Sequence, residues 1–177
     1  MAKRLELLIS ERRIRIRTAA LARRIEDDYR GKKLSLVVVL KGAVVFAADL
    51  MRHIAIPFTI DFIAAASYGE STRSSGTVAL SGLDGLAIGD RHVLVVEDIL
   101  DTGRTVTAVI DALQRRGPAS LRLCALLRKP TAAALNLPIG YVGFEIPPDF
   151  VVGWGLDYAE RYRNLRGVYR LTLAGDD

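Results

Sequence analysis

Residues 34–40, LSLVVVL, are an almost unbroken run of apolar, mostly β-branched side chains, and HVLVV (92–96) and LRLCALL (121–127) repeat the pattern. A strand with one wet face alternates apolar and polar residues. A run without alternation predicts a strand covered on both faces, as in a parallel sheet sandwiched by helices. The intervals supply those helices. AVVFAADLMRH (43–53) follows the first run across a Lys41-Gly42 turn, and 105–116 follows the second until Gly117-Pro118 stops it. Residues 58–64, 141–144 and 150–152 complete a set of short strands. Strands alternating with helices predict an α/β fold: a mostly parallel open sheet flanked by helices, with ligands beyond the carboxyl ends of the strands.

The 177 residues, half of them hydrophobic, are enough for one domain with a sizeable core, and no linker or internal repeat divides them. The most apolar stretch, LSLVVVLKGAVVFAADLM, is broken by Lys41, Gly42 and Asp49, so no membrane span is expected. A single cysteine, Cys124, excludes an internal disulfide and a multi-cysteine metal cluster. With no basic leader at the start, it makes a reducing, cytoplasmic setting the expectation. The net charge of +5 is concentrated in ERRIRIRTAALARRIEDDYR (11–30). There Ile14, Thr18, Leu21 and Ile25 recur at steps of four and three, which predicts a docked helix whose arginines lie mostly on other faces. No aromatic platform accompanies the charge, and no nucleic-acid partner is expected.

Function concentrates in VLVVEDILDTGRTV (93–106). Three acids, Glu97, Asp98 and Asp101, stand at the end of an apolar strand, and Asp101-Thr102-Gly103-Arg104-Thr105 leads into a helix amino terminus. Free amides and the positive end of the helix dipole make that turn an anion cradle, with Thr102 and Thr105 as added donors and Gly103 permitting close approach. Carboxylates do not bind phosphate, so Glu97 and Asp98 point to sugar hydroxyls or a hard cation such as magnesium. One ligand with a ribose and a terminal phosphate satisfies both halves. Residues 67–76 are polar and rich in hydroxyls, which predicts a mobile surface loop.

VVEDILDTGRT resembles the phosphoribosyl pyrophosphate motif of the type I phosphoribosyltransferases. LKG (40–42), ASYGESTRSSG (66–76), LLRKP (126–130) and VGFEIPPDFVVGWGLDYAERYRNL (142–165) resemble its hypoxanthine-guanine branch, in order and over nearly the whole chain. The resemblance implies a single phosphoribosyltransferase domain over 1–177, with a small hood formed by the N-terminal and C-terminal segments. It implies transfer of a phosphoribosyl group from phosphoribosyl pyrophosphate to hypoxanthine or guanine, with Mg2+ as cofactor and a homodimer or homotetramer as the assembly. Under it Glu97 and Asp98 hold the ribose hydroxyls, directly or through magnesium. Asp101 is the catalytic base toward the purine N7 proton, and Thr102, Gly103, Arg104 and Thr105 hold the 5'-phosphate. Lys129 donates to the purine 6-oxygen, Phe150 stacks on the ring, and the backbone of Val151 faces the base. Lys41 and Gly42, often through a non-proline cis peptide, meet pyrophosphate together with Arg163. Asp157 faces a second magnesium, and Ser67-Tyr68 begins a mobile lid.

Two departures qualify the match. Arginines common soon after the lysine are replaced here by Pro130-Thr131-Ala132-Ala133. GRTV is also carried by pyrimidine-operon regulators of the same superfamily, so an RNA-binding attenuation protein of this fold is the alternative. Asp101, Lys129 and the 150–157 segment speak for the purine enzymes. A non-catalytic nucleotide-binding subunit would be expected to have lost one of Glu97, Asp98, Asp101, Lys129 or Asp157. The choice between hypoxanthine and guanine is open.

Overall fold

A computed structural model describes residues 3–67, 78–134 and 136–173. Its centre is a six-stranded sheet in the order β4-β3-β2-β5-β6-β7, built from β2 (Leu34–Leu40), β3 (Phe58–Ser67), β4 (Val78–Ser81), β5 (His92–Leu100), β6 (Ser120–Arg128) and β7 (Ile139–Glu145). All neighbours pair in parallel except β4, which runs antiparallel to β3 at one edge.

Double coverage explains the unbroken apolar runs. Leu36, Val38, Leu94, Val96, Cys124 and Leu126 pack on one face against helices α1 (Glu11–Tyr29) and α2 (Val44–Met51). The residues between them, Val37, Val39, Val93, Val95, Leu123 and Ala125, pack on the other face against α3 (Arg104–Gln114). Alternate residues therefore belong to different cores, and each must be apolar. Cys124 is buried in β6, where the apolar surroundings push its thiol up to about 12.

The predicted stripe of α1 is the buried one, with Ile14, Thr18, Leu21 and Ile25 joined by Ala22 and Tyr29. Its arginines do more than face solvent. Arg17 donates from Nε and Nη2 to the carbonyls of Gly143 and Val142, both at 2.8 Å, while Arg13 and Arg24 lie over the rings of Phe144 and Tyr141. The helix thus spends charge on the edge strand β7, whose outer carbonyls would otherwise be open to pairing.

The strand expected at 150–152 does not join the six-stranded sheet but belongs to a second, antiparallel one that the sequence does not announce. β1 (Lys3–Ile9), β9 (Val168–Leu173) and β8 (Val151–Val152) pair in the order β1-β9-β8, joining the two ends of the described chain. Among the described residues no helix is long and apolar enough to cross a membrane.

Candidate active site

Strands β2, β5 and β6 end together, and a cleft of about 790 Å³ opens over their carboxyl ends. Lys41, Gly42, Glu97, Asp98, Asp101 and Lys129 line it from the sheet, and Phe150, Val151, Asp157 and Arg163 line it from the opposite side. A hollow of about 190 Å³ adjoins it, bounded by Glu97, Asp101, Thr102, Gly103, Arg104 and Thr105. The residues singled out in the sequence thus meet in one place. Ser67 closes β3, while Tyr68 and the predicted loop to residue 76 lie outside the described residues.

The two acids at the end of β5 stand in poor solvent. Burial pushes the Glu97 carboxyl well above the ordinary carboxylate range, the Asp98 charge adds to this, and Glu97 Oε2 is buried without a hydrogen-bond partner. Asp98 is pushed up to about 6, chiefly by burial, although backbone amides and the Arg163 charge pull the other way. Asp98 accepts from the Ile99 amide at 2.8 Å, which points its other oxygen at the 41–42 turn. A Cβ on Gly42 would lie 1.6 Å from Asp98 Oδ2, so the turn can pass the acid only with glycine there. The cis peptide of this turn joins Leu40 to Lys41, one bond before the Lys41-Gly42 bond named from the sequence.

Beyond β5, Gly103 adopts φ 75 and caps α3 without a side-chain hydrogen bond. The first turn of α3 therefore presents its amides to the smaller hollow, the arrangement that favours an anion.

Lys129, only 7% exposed, follows β6 and donates from its backbone to Leu100. Its ammonium reaches Asp101 Oδ2 at 2.7 Å. Thr131 donates to the Asp101 carbonyl at 3.1 Å and approaches Oδ1 at 3.4 Å. The departures after Lys129 acquire a physical reason here: Ala132 is fully buried in the core beneath α3, where an arginine would not fit.

The facing wall is a folded-back arch. Gly153 and Leu156 exchange backbone hydrogen bonds, as do Tyr158 and Arg161, and Trp154 and Gly155 donate to Leu165 and Arg163. Four non-glycine residues, Trp154, Ala159, Glu160 and Tyr162, hold positive φ, an uncommon conformation for such side chains. Trp154 is buried in the core. Gly155, at φ +100, would bring a Cβ within 2.1 Å of the Gly42 carbonyl, so the arch rests directly on the 41–42 turn. Phe150, half-exposed, packs edge-on to Tyr158 with ring centroids 5.8 Å apart. Its carbonyl accepts from Leu171, and the preceding Asp149 is paired with Arg170 of β9 at 2.6 Å. Arg163 donates to the Gly155 carbonyl at 2.8 Å and forms an ion pair with Asp157, also at 2.8 Å.

The family of the phosphoribosyl transferase domain matches residues 5–161. The chain belongs to the phosphoribosyl transferase family. It is 50% identical over 166 residues to the hypoxanthine-guanine phosphoribosyltransferase of Mycobacterium avium, covering 90% of this chain and 81% of that protein. It is 40% identical over 176 residues to the hypoxanthine phosphoribosyltransferase of Escherichia coli (strain K12), covering 98% of both. A crystal structure of a hypoxanthine-guanine phosphoribosyltransferase from Bacillus anthracis superposes with a TM-score of 0.87 at 40% identity, covering 97% of this chain and all of that one.

Within this phosphoribosyl transferase, sequence reasoning passed over Thr131, Gly155 and Glu160. Glu160 lines the cleft, and its signal was an acid three residues before Arg163. Nothing local marks Gly155, whose contact is with a turn more than a hundred residues earlier.

No three His, Cys, Asp or Glu side chains among the described residues converge as a ready-made metal cage. The donor set is nevertheless all oxygen, and Glu97 and Asp98 are desolvated carboxyls that a nearby cation would stabilise in their charged forms. That fits a magnesium ion completed by substrate oxygens rather than by protein alone.

Proposed function

We propose that this chain is a purine-salvage enzyme that transfers the phosphoribosyl group of phosphoribosyl pyrophosphate to hypoxanthine, guanine or both, giving IMP or GMP and pyrophosphate. The observation that carries the reading is the Lys129–Asp101 pair, at 2.7 Å, in the cleft that Glu97, Asp98 and Phe150 also line. An ammonium has only donors and can serve a 6-oxo group but not accept from the amine of adenine. The purine, stacked on Phe150 beside the Val151 backbone, would hydrogen-bond through its 6-oxygen to Lys129. Asp101 takes the proton that the ring loses as the bond from ring nitrogen to anomeric carbon forms and the bond to pyrophosphate breaks. A well-placed base contributes about 10² to 10⁴-fold in rate.

Positive charge grows on the ribose as pyrophosphate leaves, and Glu97 and Asp98 supply fixed negative charge beside it while holding the hydroxyls. Residues 102–105 hold the 5'-phosphate in the smaller hollow. Lys41, the Gly42 amide and Arg163 receive the pyrophosphate oxygens. Glu97 and Asp98 on one wall and Asp157 on the other are the residues that would hold magnesium, which would supply charge neutralisation for the leaving group. The three-stranded sheet would serve as the hood, with Ser67-Tyr68 beginning a lid that excludes water. A cytoplasmic homodimer or homotetramer completes the reading.

The regulator alternative gains no support, since the relatives described above are hypoxanthine and hypoxanthine-guanine phosphoribosyltransferases. The test is pyrophosphate release with phosphoribosyl pyrophosphate, magnesium and one of hypoxanthine, guanine, xanthine, adenine or uracil. Turnover with hypoxanthine or guanine alone is expected. Turnover with adenine or uracil instead would overturn the assignment.

A further inference from the structure

Glu160 belongs to none of the roles above, yet its carboxylate lies between the two cations assigned to pyrophosphate. Lys41 Nζ reaches Glu160 Oε2 at 3.4 Å, and Arg163 Nη2 reaches both Glu160 oxygens at 3.3 Å. Surface ion pairs of this length are ordinarily worth little. This one is distinguished by how its acid is held. Ala159 and Glu160 adopt φ 50 and 60, within the tight exchange of hydrogen bonds between Tyr158 and Arg161. The Glu160 amide donates to Asp157 Oδ2 at 2.9 Å, while the other oxygen of Asp157 pairs with Arg163 at 2.8 Å. One carboxylate therefore fixes the backbone that aims Glu160 and also the guanidinium at which it is aimed. Lys41 and Arg163 arrive from opposite walls of the cleft, and among the described residues Glu160 is the side chain that pairs with both.

We propose that Glu160 is an internal competitor for the pyrophosphate site, a specificity-determining acid that an incoming ligand must displace from Lys41 and Arg163. This rests on the phosphoribosyltransferase reading and deepens it. A single carboxylate already satisfies the two cations in part, so a lone anion gains little by replacing it. A ligand with several phosphate oxygens offers both cations more than they lose, and the site thereby favours polyanions. The same competition runs on the way out: as pyrophosphate loosens, Glu160 recaptures its partners and hastens release.

The experiment is calorimetric titration of the protein and of Glu160→Gln with pyrophosphate in the presence of magnesium, alongside steady-state KM values for phosphoribosyl pyrophosphate and hypoxanthine. Glu160→Gln is expected to bind pyrophosphate more tightly by on the order of fivefold at low salt, with the gap closing as ionic strength rises. The hypoxanthine KM should move less. Glu160→Asp, whose shorter arm cannot span both cations, should fall in between and serves equally should the glutamine variant fold poorly. In a Lys41→Gln background the gain should shrink. Equal or weaker pyrophosphate binding in the variants, or a gain indifferent to salt, overturns the inference. Failure of the wild-type protein both to make nucleotide from hypoxanthine and to bind pyrophosphate would overturn the underlying reading instead, so the two failures are distinct.

Discussion

The two walls of the cleft are made by opposite means. On one side Glu97, Asp98, Asp101 and Lys129 ride on the ends of β5 and β6, central strands paired on both flanks and covered on both faces. On the other, residues 153–165 form an arch held by a few cross-bonds, positive backbone angles and ion pairs around Arg163. The first wall inherits the stability of the main core. The second stands on local devices and on contact with the 41–42 turn. In the proposed reading the groups that need fixed mutual geometry during proton transfer sit on the rigid wall, and the charged leaving group is gripped where the two walls meet, by Lys41 and the Gly42 amide from one and Arg163 from the other.

The largest effect is expected on the rigid wall. Asp101→Asn keeps the shape and the Thr131 contact but removes the proposed base, and turnover should fall by about 10² to 10⁴-fold with substrate binding largely kept. Stopped-flow or steady-state kinetics across pH would show it; full turnover in the asparagine variant would mean that this wall positions without taking a proton.

Next comes the joint between the walls. Gly155→Ala places a methyl about where the Gly42 carbonyl lies, 2.1 Å away, at a φ that alanine resists. The 41–42 turn must give way, and the KM for phosphoribosyl pyrophosphate should rise about tenfold to a hundredfold, while equilibrium binding of a purine analogue changes little. An equal loss in both would show that the walls do not act separately.

A third effect appears in stability rather than rate. Because the folded Asp98 carboxyl titrates near 6, above its unfolded value of about 4, its ionisation opposes folding fully above pH 6 and not at all below about 4. Asp98→Asn should therefore stabilise the protein by about 1–2 kcal/mol at pH 8, less at pH 5, while impairing catalysis. Denaturant unfolding at the two pH values measures this, and a gain of the same size at both would assign it to packing instead of charge.

The smallest effect concerns how much help the rigid wall needs. Thr131→Val removes the hydroxyl that holds Asp101, and turnover should drop about threefold, in keeping with one modest hydrogen bond. Unchanged turnover would mean that the end of β5 orients Asp101 unaided.

The same contrast governs what could be read from sequence. Residues 34–40, 92–96 and 121–127 announce themselves because burial on both faces leaves no polar positions. VVEDILDTGRT is readable because its strand, acids and phosphate turn are contiguous. The strands of the smaller sheet are less visible for a physical reason. In β1 residues 4–7 are all exposed, Leu5 and Leu7 included, so the alternation marks no buried face, and the partner strand lies at the far end of the chain. Gly155 and Glu160 take their meaning from backbone sign and from what the arch meets across the cleft, which no local spacing encodes. The cis bond at Leu40-Lys41 is likewise beyond the sequence, where the turn is identified by residue type and the state of its peptides stays open.

The pairing of β1 with β9 also has a bearing on how the molecule comes into being. Glu6 and Arg170 are joined across 164 residues of chain, so one edge of the smaller sheet forms only after the longest loop closure in the protein, an entropic cost met late. In the six-stranded sheet β2 reaches β3 through α2, β5 reaches β6 through α3, and the pairing of β2 with β5 closes a much shorter loop. A chain halted before β9 is therefore expected to assemble the acid-bearing side of the cleft and leave Phe150 and the arch unanchored. Hydrogen exchange on such a fragment should find β2, β5 and β6 protected and residues 150–165 open, while protection throughout would show that the arch matures without its last strand.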